Sequence, residues 1–83
     1  MKDELNLEVK SSEKVLFKGS VKAVSSINET GEFDILPFHA NFFSIIKGKI
    51  VITDEGGQKK EILIKDQGIL RSMENSVEIF LGI

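Results

Sequence analysis

The chain of 83 residues has no cysteine, no tryptophan and no tyrosine, and only one proline and one histidine. Without cysteine there is no disulfide framework and no thiolate metal site. A small domain lacking such staples relies on its core or on a partner. One histidine makes a zinc centre only with help from carboxylates, and no such clustering is visible. No apolar run approaches the ~20 residues that span a bilayer. The start, Met1-Lys2-Asp3-Glu4, is polar and has no signal-peptide core. The expected location is therefore the cytoplasm, or the cytoplasmic side of a membrane. A net charge of −2 is too small to imply a nucleic-acid partner. Lys59-Lys60 and Lys47/Lys49 are isolated basic points without interleaved exposed aromatics, which argues against an RNA-binding sheet. There is no Gly-x-x-x-x-Gly-Lys-Ser/Thr loop, no Gly-x-Gly-x-x-Gly and no nucleophile elbow.

What remains is a globular composition, 41% hydrophobic and 29% charged, with strand patterning throughout. Leu5-Asn6-Leu7-Glu8-Val9 alternates. Val15-Leu16-Phe17 precedes Lys18-Gly19, which reads as a bulge or bend. Val21, Ala23, Ser25 and Ile27 are expected to share one face. Asn28 to Gly31 reads as a turn, and the glycosylation pattern Asn28-Glu29-Thr30 as part of it. Phe42 to Ile46 is a strand that Lys47-Gly48 is expected to end. Lys49 to Asp54 and Lys60 to Lys65 flank the hairpin signal Glu55-Gly56-Gly57-Gln58. Gln67 to Ser72 and Val77 to Leu81 are joined by a turn at Met73 to Ser76. Turns recurring every eight to twelve residues or so give the rhythm of an all-β sandwich or barrel. Val15-Leu16-Phe17, Ile50-Val51-Ile52, Ile62-Leu63-Ile64 and Ile79-Phe80-Leu81 are apolar on both faces. Such strands end at sheet corners or offer part of an outer face to another protein.

The richest stretch is Gly31 to Ala40. Pro37 lacks an N–H, and Leu36 before it is pushed to extended geometry. The run reads as a strand, Glu32 to Ile35, that breaks into an ordered apolar corner, a contact surface rather than a solvent loop. His39 is the only imidazole available as a base. It is a turn-capping residue or an interface residue at the corner's tip. The carboxylates Glu29, Glu32 and Asp34 nearby read as solvated.

Glu13-Lys14-Val15-Leu16-Phe17-Lys18-Gly19, Gly31-Glu32-Phe33-Asp34-Ile35-Leu36-Pro37-Phe38-His39-Ala40, Gly68-Ile69-Leu70 and Asn75-Ser76-Val77-Glu78-Ile79 occur in that order. Together they resemble the N-terminal domain of the epsilon subunit of F-type ATP synthase, called delta in mitochondria. Asp34 and Phe38 stand where that family usually has glycine. Asn41 replaces its second proline and Gln67 the first glycine of its late pair. Asp34 is expected to keep a left-handed turn. The resemblance implies an all-β, flattened sandwich of about ten short, mostly antiparallel strands in two sheets, forming one domain over residues 1–83. It implies a non-catalytic rotor component, with no cofactor and no metal, that links the gamma subunit to the c-ring. Carried over by position, Glu29, Thr30, Gly31 and Glu32 face the ring. Pro37, Phe38, His39 and Ala40 lie at the corner near gamma and the ring, so His39 becomes an interface residue. The family's C-terminal helical hairpin has no counterpart before Ile83. The implied location is peripheral, on the cytoplasmic face of the inner membrane through the complex. The alternative is a stand-alone sandwich module that binds another protein or a small ligand.

Overall fold

A computed structural model describes residues 5–37 and 41–82. Eight strands and no helix are found among them: β1 (Leu5–Lys10), β2 (Val15–Val21), β3 (Ala23–Asn28), β4 (Gly31–Ile35), β5 (Phe42–Thr53), β6 (Lys59–Leu63), β7 (Gly68–Met73) and β8 (Ser76–Leu81). They form two layers. The larger sheet runs β2-β1-β8-β7 and then the first half of β5. The smaller runs β4-β3, the second half of β5, and β6. All neighbours are antiparallel except β1 and β8. The inward faces close on each other: Leu5, Leu7, Val9, Leu70, Val77 and Ile79 from one layer meet Val24, Ile35, Ile50 and Ile52 from the other, all buried. The two-residue period that made the strands legible also fills this core.

Eight strands are found among the described residues where the resemblance implies about ten; of the expected breaks one is absent and one is displaced. Lys47-Gly48 does not end a strand. Gly48 takes φ 80° inside β5, which lets the strand bend and pass from one layer into the other. Lys18-Gly19 carries no bulge. Pairing runs straight through Lys18↔Glu8 and Gly19↔Leu7, and the register shifts instead between Val9 and Lys10. The expected shared face of Val21, Ala23, Ser25 and Ile27 is also corrected. A bend at Lys22 separates β2 from β3, so Val21 is buried on one strand and Val24 and Ser26 on the next. Asp34 is not in a left-handed turn. It sits in β4 opposite Ser25, whose hydroxyl donates to its carboxylate at 2.6 Å.

Other turns form where expected. Glu74 and Asn75 both have positive φ, 51° and 62°, between the paired residues Met73 and Ser76. That is the pattern of a type I′ hairpin. In the β5–β6 loop the Asp54 carboxylate accepts from the backbone N–H groups of Gly56 and Gln58, each at 2.9 Å.

Candidate functional site: two contact surfaces

The Glu29–Thr30 turn is built by Asn28. Its Oδ1 accepts from the Thr30 backbone N–H at 2.9 Å and from Thr30 Oγ1 at 2.7 Å. Its Nδ2 donates to Ser44 Oγ at 3.1 Å, which ties the turn to β5. This is an Asx-type turn, with Gly31 at φ 119° resuming the chain. Glu29, Thr30 and Glu32 are exposed. The turn borders a depression of about 590 Å³ whose wall includes Phe43, Ile45, Lys47 and Asp66.

β4 carries the chain away from this turn. Both β4 and β5 run antiparallel to β3, so β5 starts beside the turn again. Phe42 packs on Phe33 with ring centroids 5.3 Å apart, which ties the start of β5 to β4. Leu36 is exposed and Pro37 half-buried. Phe38, His39 and Ala40 lie outside the described residues.

The second surface is the outer face of the larger sheet. The strand registers align a row across all five strands: Ile45↔Ile69, Ile69↔Phe80, Phe80↔Lys10 and Lys10↔Val15. Ile45, Phe80 and Val15 are 53%, 41% and 51% exposed. The Lys10 ammonium sits 4.7 Å from the centre of the Phe80 ring. The next row along the strands reads Phe43↔Arg71↔Glu78↔Glu8↔Lys18. Arg71 donates to Glu78 at 2.6 Å. The outer face of the smaller sheet is more polar. It carries Glu32, Asp34, Lys49 paired with Glu61, and an isolated Leu63 at 77% exposure.

Phe43, Ile45 and Ile69 do not stand out in the sequence as surface residues. Phe42-Phe43-Ser44-Ile45-Ile46 is apolar at four of its five positions, so only the register decides which side faces water. Phe80 and Val15 do belong to runs read as apolar on both faces. Among the described residues no group of three or more His, Cys, Asp or Glu side chains is arranged to hold a metal ion. No buried side-chain nitrogen or oxygen lacks a partner there, and no helix is long and apolar enough to cross a membrane.

The fold and its surfaces define a class: a two-layer β module with exposed apolar side chains on the outer face of its larger sheet. The chain belongs to the family of the β-sandwich domain of the ATP synthase delta/epsilon chain, whose pattern matches residues 4–81. It is 36% identical over 73 residues to the ATP synthase epsilon chain of a Nitratiruptor species, covering 88% of this chain and 57% of that one. It is 38% identical over 64 residues to the epsilon chain of Maricaulis maris, covering 76% and 48%. The chain thus spans about half the length of these curated relatives. Its fold matches a chain of the Euglena gracilis mitochondrial ATP synthase OSCP/F1/c-ring assembly, with a TM-score of 0.89 at 19% identity, covering 98% of this chain and 52% of that one. A chain of the Tetrahymena thermophila mitochondrial ATP synthase central stalk/c-ring gives 0.76 at 11% identity, covering 99% and 66%.

Proposed function

We propose that this chain is a non-catalytic rotor component of an F-type ATP synthase. It links the gamma subunit to the c-ring and passes torque during proton-driven ATP synthesis. The family match across residues 4–81 carries this reading. The exposed apolar side chains on the outer face of the larger sheet, Phe43, Ile45, Phe80 and Val15, support it as surface that a docking partner would cover. In this reading the 83 residues act as one sandwich domain, held peripherally at the cytoplasmic face of the membrane through the complex. Glu29, Thr30, Gly31 and Glu32 face the c-ring, and Pro37 with Phe38, His39 and Ala40 forms the corner near gamma and the ring.

Two measurements test it. The full chain is expected to bind its cognate gamma subunit with a Kd of about 1 μM or tighter, typical of a specific interface. A pull-down at that concentration that recovers no gamma would defeat the proposal. Glu32→Lys, at an exposed position on an edge strand, is expected to leave the denaturation midpoint unchanged while weakening assembly with the c-ring. If the substitution unfolds the domain instead, Glu32 has a structural role and not a contact role.

A further inference from the structure

We draw no further inference here: the strongest candidate, the depression of about 580 Å³ across β2, β1, β8 and β7 on the outer face of the larger sheet, belongs to the contact surface already described, its Arg71 and Glu78 are paired with each other, and nothing in the structure shows what covers it.

Discussion

At the scale of single residues, the least replaceable position is Gly68. A Cβ there would lie 2.7 Å from Leu81 Cδ2 and 2.8 Å from the Phe80 carbonyl oxygen. The side-chain contact can relax, but the backbone oxygen is fixed in the ladder between β7 and β8. Gly68→Ala is expected to cost about 2 kcal/mol of stability, in the range of overpacked cores, and a shift in urea midpoint at constant slope would show it. The neighbouring Gln67 is exposed and lies outside the strand. That explains why glutamine can replace the first glycine of the late pair while the second is kept. The residues that build the Glu29–Thr30 turn do so with neutral groups, since Asn28 uses both ends of its amide. Its internal hydrogen bonds give the Asn28-Glu29-Thr30 triplet a structural explanation.

At the scale of elements, the β7–β8 hairpin carries a visible compromise. Glu74 occupies a left-handed position that suits asparagine or glycine. Glu74→Asn is expected to stabilise the domain by about 0.5–1 kcal/mol, seen as a higher midpoint in thermal unfolding. An unchanged or lower midpoint would mean that the Glu74 side chain makes a compensating contact. Strand positions were largely readable because alternation such as Leu5, Leu7 and Val9 is a strong signal. The faces of β5 were not, because its first half is apolar on both sides. Glycine was misleading in two ways. At Lys47-Gly48 it marks a bend inside a continuing strand, and at Lys18-Gly19 it marks nothing irregular. The turn at Asn28 to Gly31 was legible as a turn, whereas its union with Phe43 and Ile45 arises from β4 and β5 both running antiparallel to β3. That is a long-range relation and leaves no local pattern.

At the scale of the molecule, β5 contributes pairs to both layers. Ile46, Ile50 and Ile52 from this one strand are all in the core. The two sheets are therefore expected to unfold together. Hydrogen exchange of β1 amides in one layer and β3 amides in the other should report the same opening free energy near that of global unfolding. Separate values would show that the layers are independent units. The same strand has a mechanical meaning. Two merely stacked layers can slide, because dispersion contacts resist shear weakly and reform after slipping. Here a covalent backbone of twelve residues crosses from one layer to the other. Sideways load on either face is opposed by this strand's backbone and its hydrogen-bonded ladders in both layers as well as by side-chain contacts. A body braced in this way passes on a push with little lost to its own deformation.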